Sequence, residues 1–259
     1  MKRFTYFSTR SVLILGSVLF MIQTYGQRNN FSDAKSVLGI NYVVPGGQYE
    51  PGASRDACSY IIDDGTQENS LGLTAGGDIM WLNYFTATAG CELINTISLT
   101  WGLMPNGGIC RVILYDDPND DGNPIDAVYL TEASTTVANA YTNIFTTVSI
   151  TPTPVSGGFF VAALYQFQPA GEYPASFDSD PPFHRNSWVS GAGTGGAFDV
   201  NNLSNNDIGL LLIDDIGYPG NFLLRAEGSA NNVPLSNWAL IIGIVLIGTF
   251  VFIRYRRMA

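Results

Sequence analysis

Ile97-Ser98-Leu99-Thr100-Trp101 alternates apolar and polar side chains residue by residue. Successive side chains of an extended strand point to opposite faces, so this run suits a strand half buried in a core. Further along, Phe159-Phe160-Val161-Ala162-Ala163-Leu164 is apolar throughout, which suits a central strand covered on both faces. Outward from these two, short β-like runs recur between turn clusters: Ser59 to Ile62, Ile79 to Thr86, Glu92 to Trp101, Ile109 to Tyr115, Ala127 to Leu130, Thr142 to Ile150, Gly158 to Tyr165, Ile208 to Ile213 and Asn221 to Ala226. Asp63-Asp64-Gly65 and Pro105-Asn106-Gly107-Gly108 punctuate them as turns. The second turn predicts a hairpin between Glu92–Trp101 and Ile109–Tyr115. No stretch of this region keeps a helical period over a dozen residues, and no internal repeat of fixed period is visible. Residues 55–228 are therefore expected to form an all-β domain, an antiparallel β-sandwich of jelly-roll type with nine or ten strands. Residues 27–54 read as an N-terminal arm with one strand at Ile40 to Val44, and Pro51-Gly52 marks its end.

Charge is distributed unevenly. Charged residues make up only 13% of the 259-residue chain, about half the usual share, with Gly, Asn, Thr and Ser in their place. All 22 acidic residues lie between the two ends, against six basic ones there (Arg28, Lys35, Arg55, Arg111, Arg185 and Arg225), which leaves the body at −16. Such a surface repels nucleic acid and anionic lipid, and it suits cation binding or solubility outside the cell.

The remaining basic residues belong to the termini. Lys2, Arg3 and Arg10 precede an uncharged, largely apolar run from Val12 to Ile22, and Thr24-Tyr25-Gly26 offers small residues for cleavage. This is the pattern of a secretory signal peptide over residues 1–26, with Gln27 as the first mature residue. Its apolar run of about 11 residues is too short to cross ~30 Å of hydrocarbon. At the other end, Val233-Pro234-Leu235-Ser236-Asn237-Trp238 leads into an uncharged apolar run from Ala239 to Ile253, then Arg254-Tyr255-Arg256-Arg257. The run reaches only ~23 Å as a helix, which Trp238 and Tyr255 extend as interfacial anchors. The arginines would face the cytoplasm, placing the acidic body across the membrane. One C-terminal transmembrane helix over 239–253 is the expectation.

This order of short Pro motif, helix and basic cluster over 233–259 resembles the bacterial PEP-CTERM class of C-terminal sorting signals, and most nearly the IPTL-CTERM variant. Val233 to Trp238 departs from that variant: its Thr is missing, and Asn237 stands where Glu is usual. The resemblance implies export by the Sec machinery, processing near Pro234 by an exosortase-like enzyme, and delivery to the cell surface or matrix. The body resembles an uncharacterised exported β-domain in Asp63 to Asn69, Trp81-Leu82-Asn83, Asp116 to Ala127, Gly157 to Val161, Pro219 to Phe222 and Arg225-Ala226. That likeness implies architecture and location but no activity.

The sharpest chemical feature is Asp117-Pro118-Asn119-Asp120-Asp121-Gly122, which continues to Asp126. Asp117, Asn119 and Asp121 fall at positions one, three and five of a calcium loop, with Gly122 at six for the sharp turn. Val128 stands at position twelve where a chelating Glu is usual, so Asp126 is the further candidate ligand. The same residues also suit an Asx-rich turn that binds only its own backbone. Three cysteines in an oxidising compartment predict one disulfide and one free thiol. Opposite hairpin ends for Cys91 and Cys110 favour Cys58 with Cys91. The lone histidine, His184, follows Pro181-Pro182-Phe183 and reads as a loop residue; Ser187 and Asp180 near it in sequence do not make a triad. Trp81, Trp101 and Trp188 read as core filling, with a sugar platform at Trp188 as the alternative. The function expected is that of a non-enzymatic surface or matrix protein. A carbohydrate-binding module acting on matrix polysaccharide is the second reading, and an extracellular hydrolase the third. Calcium is the one cofactor the sequence suggests, since no CxxC or Cys/His spacing suits zinc, and nucleic acid is not an expected partner.

Overall fold

A computed structural model describes residues 38–42, 58–230, 245–247, 250 and 254–256. The expected signal peptide, most of the expected arm, the motif at 233–238 and most of the 239–253 run lie outside the described residues. Among the described residues no helix is long and apolar enough to cross a membrane.

Among the described residues, fifteen strands run in chain order: β1 (Leu38–Tyr42), β2 (Ser59–Tyr60), β3 (Asn69–Leu73), β4 (Gly77–Thr86), β5 (Leu93–Leu99), β6 (Trp101–Leu103), β7 (Ile109–Asp117), β8 (Val128–Thr136), β9 (Thr146–Pro154), β10 (Gly158–Gln168), β11 (Tyr173–Asp178), β12 (Ser187–Gly193), β13 (Ile208–Leu212), β14 (Asn221–Phe222) and β15 (Leu224–Ser229). Every pairing between them is antiparallel. One six-stranded sheet has the order β13-β12-β4-β10-β7-β8. A second sheet is ordered β1-β3-β11-β14 with β6 on β11, and a third is ordered β2-β15-β5-β9. Strand β1, drawn from the segment expected as an arm, pairs with β3 at the edge of the second sheet.

The second and third sheets form one bent layer. The chain passes from β5 to β6 through Thr100 and from β14 to β15 through Leu223, and the Thr100 N–H donates to the Leu223 carbonyl (3.2 Å). Side chains from this layer and from the six-stranded sheet share one apolar core that includes Trp81, Ile97, Leu99, Trp101, Val112, Phe159, Val161, Phe177 and Leu224. The alternating 97–101 run delivers its apolar face there, with Ile97, Leu99 and Trp101 all fully buried.

Strand β10 lies between β4 and β7, where its unbroken apolar sequence has a physical role on both faces. Phe159, Val161 and Ala163 enter the main core, while Phe160, Ala162 and Leu164 enter a second cluster with Met80, Leu82, Tyr115, Phe198 and Leu203. The second cluster lies under the loop that contains Phe198 and the 3-10 turn Leu203–Asn205. Both faces of the central strands are therefore covered.

A bend in a sheet costs ladder hydrogen bonds, and a buried Asn replaces them here. Asn83 Nδ2 donates to the carbonyls of Phe222 and Leu224, which flank the bend, each at 2.8 Å. Its Oδ1 accepts from Ser187 Oγ (2.7 Å), and Ser187 Oγ accepts from the Phe222 N–H (3.2 Å).

Three expectations change. Glu92–Trp101 and Ile109–Tyr115 do not pair, because β5 lies in the third sheet between β15 and β9, and β7 in the first between β10 and β8. The connection from β6 to β7 thus crosses between layers rather than closing a hairpin. The strand expected over Thr142 to Ile150 forms later, at Thr146–Pro154. Strands β3, β11 and β12 fall where no strand was expected; β12 is built largely from Ser, Gly and Ala, β3 and β11 mix such small residues with larger ones, and all three are buried without alternation.

Candidate metal site

The loop between β7 and β8 carries the sequence-predicted ligands Asp117, Asn119, Asp121 and Asp126. Asx turns wind it. Asn119 Oδ1 accepts from the Asp121 N–H (3.1 Å), Asp121 Oδ1 from the Asn123 N–H (2.7 Å), and Asn123 Oδ1 from the Ile125 N–H (3.2 Å). Asn123 thereby caps the 3-10 turn Pro124–Asp126. Gly122 takes φ +73°, a left-handed conformation open to glycine at little cost, and its N–H donates to Asp117 Oδ2 (2.9 Å). Asp120 reaches across to the start of β10, where its carboxylate accepts from the Gly158 N–H.

This winding brings the carboxylates of Asp117, Asp121 and Asp126 within 4.8 Å of one another. Asn119 turns back along the loop, its Nδ2 on Asp121 Oδ2 (3.1 Å). Asp121 and Asp126 are exposed, but Asp117 is only 2% exposed. Its Oδ1 is buried with no hydrogen-bond partner. Burial pushes the Asp117 carboxyl up from its ordinary range, the Gly122 N–H pulls it down, and Asp121, Asp126 and Asp120 push it up again. A buried carboxylate oxygen without a donor is costly, and a divalent cation held by oxygen ligands removes that cost. The turn chemistry and the convergence of acids are thus both present in one loop.

A second group was not anticipated. Asp64, Glu68 and Asp178 also converge within 4.8 Å, joining the 63–69 segment to the end of β11. Here the oxygens are engaged. Asp178 accepts from the Asp64 N–H (3.2 Å) and the Asp180 N–H (2.8 Å), Asp64 from Thr66, and Glu68 from Thr66 and the Ser179 N–H. Burial pushes the Asp178 carboxyl up to about 7, against the pull of its two backbone donors. No buried carboxylate oxygen is left over in this group, so it behaves as a protonatable turn network. Its only sequence signal is Asp63-Asp64-Gly65 with Glu68, which reads as a turn.

Cys58 and Cys91 are joined in a disulfide, with Cα atoms 5.1 Å apart, and Cys110 is a buried free thiol. Ser187 Oγ is fully buried on Asn83, while His184 is exposed with its backbone N–H on Asn221 Oδ1 (3.3 Å). These two side chains do not form a nucleophile and base. Trp81 and Trp101 are fully buried, and Trp188 packs against the second cluster with its indole nitrogen buried. None of the three is an exposed platform.

No family model matches the chain, and no curated protein does. Among solved structures, it is similar to the cysteine protease and lectin-like domains of a surface-layer-associated protein of Clostridium difficile. The TM-score is 0.45 at 11% identity, over 69% of this chain and 37% of that one. A clostridial form of the same protease after propeptide cleavage gives a TM-score of 0.42 at 12% identity, over 76% of this chain and 41% of that one. This chain spans about two-fifths of the length of those chains. Neither likeness reaches a TM-score of 0.5, and neither bears on what this chain binds.

Proposed function

We propose that the chain is a non-enzymatic protein of the bacterial cell surface or extracellular matrix, with a β-domain that binds calcium through Asp117, Asp121 and Asp126. The observation that carries this reading is the buried, unpartnered Asp117 Oδ1 inside a group of three carboxylates. Calcium takes six to eight oxygens, so these three acids would leave coordination positions on the solvent side. The ion would tie the end of β7 to the 3-10 turn before β8 and relieve the repulsion between the acids. The body charge of −16 adds a long-range attraction for cations. The arrangement of His184 and Ser187 supports a non-enzymatic reading.

The test is calorimetric titration of the full chain in detergent with Ca²⁺. The expected result is a saturable heat with Kd of about 10⁻⁴–10⁻³ M, the range of extracellular modules, that disappears in Asp117→Asn. A tenfold excess over Kd would stabilise the fold by about 1.4 kcal/mol. Absence of both the heat and any rise in melting temperature overturns the site.

Delivery rests on the termini. The Sec machinery would export the chain on its signal peptide, and an exosortase-like enzyme would read Val233 to Trp238 with Arg254, Arg256 and Arg257. Mass spectrometry of the mature protein is expected to find Gln27 at one end and a cut near Pro234 at the other. A full-length tail in the inner membrane fraction would leave a plain single-span anchor instead.

A further inference from the structure

Asp126 belongs to two features at once. It is one of the three converging carboxylates, and it also lines an open groove of about 430 Å³. That volume lies within the ~300–1,000 Å³ of small-ligand sites. Ile125, Asp126, Val128 and Tyr129 contribute one wall, from the 3-10 turn and the start of β8; Asn201 and Asn202 contribute the other. The two segments lie 72 residues apart in the sequence, from Tyr129 to Asn201. The Asn201–Asn202 turn is held by Asp199, whose Oδ1 accepts from both backbone N–H groups (3.0 and 3.1 Å). Tyr115 Oη, donating to the Val200 carbonyl (3.0 Å), fastens the same turn to the β7 strand that ends at Asp117.

We propose that this groove is a calcium-assisted site for a neutral saccharide. The proposal rests on the calcium reading above. Ile125 and Val128 are 58% and 49% exposed, an uncovered aliphatic surface beside a half-buried phenol ring. Facing it, two exposed amides offer both donors and acceptors. A pyranose presents this complementary pair of surfaces: a C–H face that packs on apolar side chains, and a rim of hydroxyls that both donate and accept. Vicinal hydroxyls can also fill calcium positions that Asp121 and Asp126 leave open toward solvent. The charge of the body selects the class further. At −16 it repels uronic and sulfated polymers, so the fitting saccharide carries no acidic groups.

The experiment uses the full chain in detergent, titrated by calorimetry with neutral gluco-, manno-, galacto- and xylo-oligosaccharides, with oligogalacturonate as the acidic control. Each titration is run with saturating Ca²⁺ and with a chelator, and Ca²⁺ binding is measured separately. At least one neutral oligosaccharide is expected to bind in calcium, to weaken at least tenfold on chelation, and to weaken at least tenfold in Asn201→Ala/Asn202→Ala. That variant is expected to bind Ca²⁺ as the parent does, which also shows that it folds. Ile125→Ser, at an exposed position, gives the same test on the apolar wall. If Ca²⁺ binds and no neutral oligosaccharide does, the groove proposal fails while the calcium site stands. If Ca²⁺ does not bind, the calcium reading itself fails, and sugar binding unaffected by chelation would show the groove acting alone and overturn the assistance. Equal binding of oligogalacturonate overturns the neutral class. Calcium-dependent cosedimentation with phosphatidylcholine vesicles, lost in Ile125→Ser and without any sugar binding, would reassign the surface to lipid and overturn the proposal.

Discussion

Arg225 grips Asp63 with two nitrogens, and the Asp63 side chain is completely buried in the grip. Arg225 Nε lies 3.1 and 3.0 Å from the two carboxylate oxygens, and Nη2 also donates to Oδ1. The guanidinium is stacked 3.9 Å from the centroid of the Phe145 ring. The pair fastens β15 to the 61–68 segment, 162 residues away in sequence. Planar two-point recognition and ring stacking both require Arg rather than Lys.

Removing one member of a buried pair strands the other. Arg225→Met is therefore expected to cost about 3–5 kcal/mol, seen as a lower urea midpoint at unchanged slope. Arg225→Lys should recover only part of the loss. A loss below about 1 kcal/mol in Arg225→Met would show the pair to be energetically idle.

Asp178 makes stability fall as pH rises. Its carboxyl is raised from 3.8 to about 7 in the fold, so the native state holds a proton that the unfolded chain has released. Between those values the unfolded state binds fewer protons, and unfolding free energy decreases with pH. The contribution is present in full below about pH 4 and lost through pH 7. Asp178→Asn is expected to flatten the slope of melting temperature over that window. An unchanged slope would assign it to Glu68, Asp117 or another raised carboxylate.

The Cys58–Cys91 bridge closes a 33-residue separation. Its removal by a double Ser substitution should cost about 3–4 kcal/mol by loop entropy. Non-reducing peptide mapping is expected to recover that pair alone. Cys110 should stay unlabelled by thiol reagents until the protein is unfolded, because it is fully buried and burial pushes its thiol well above the usual range.

Gly157 controls the acidic loop from outside it. Its φ is +71°, and a Cβ there would collide with the Asp120 carboxylate that anchors the loop to β10. Gly157→Ala is expected to destabilise by at least about 1 kcal/mol and to weaken Ca²⁺ binding in the same calorimetric titration. Retained affinity would detach the anchoring of Asp120 from the metal site.

Local chemistry alone determined several features of this protein. Alternation in Ile97 to Trp101 and the apolar run Phe159 to Leu164 are written in the side chains themselves, because a strand's period of two and a doubly covered strand need nothing distant to be recognised. The candidate ligands Asp117, Asn119, Asp121 and Asp126 share one short segment, and the Asx turns at Asn119, Asp121 and Asn123 are likewise local, since each acceptor serves an N–H two residues on. Tertiary structure decided the rest. Strands β3, β11 and β12 contain small and polar residues whose burial becomes tolerable only when distant groups pair with them, as Gln67 does with Ser176 and Asn83 with Ser187. The separation of β5 from β7 depends on bends at Thr100 and Leu223 that no turn residue announces. Gathering Asp126 with Asn201, and Asp64 with Asp178 114 residues away, requires contacts between segments far apart in the chain. A sequence pattern records spacing along the chain, while a binding surface depends on which distant segments the sheets bring together.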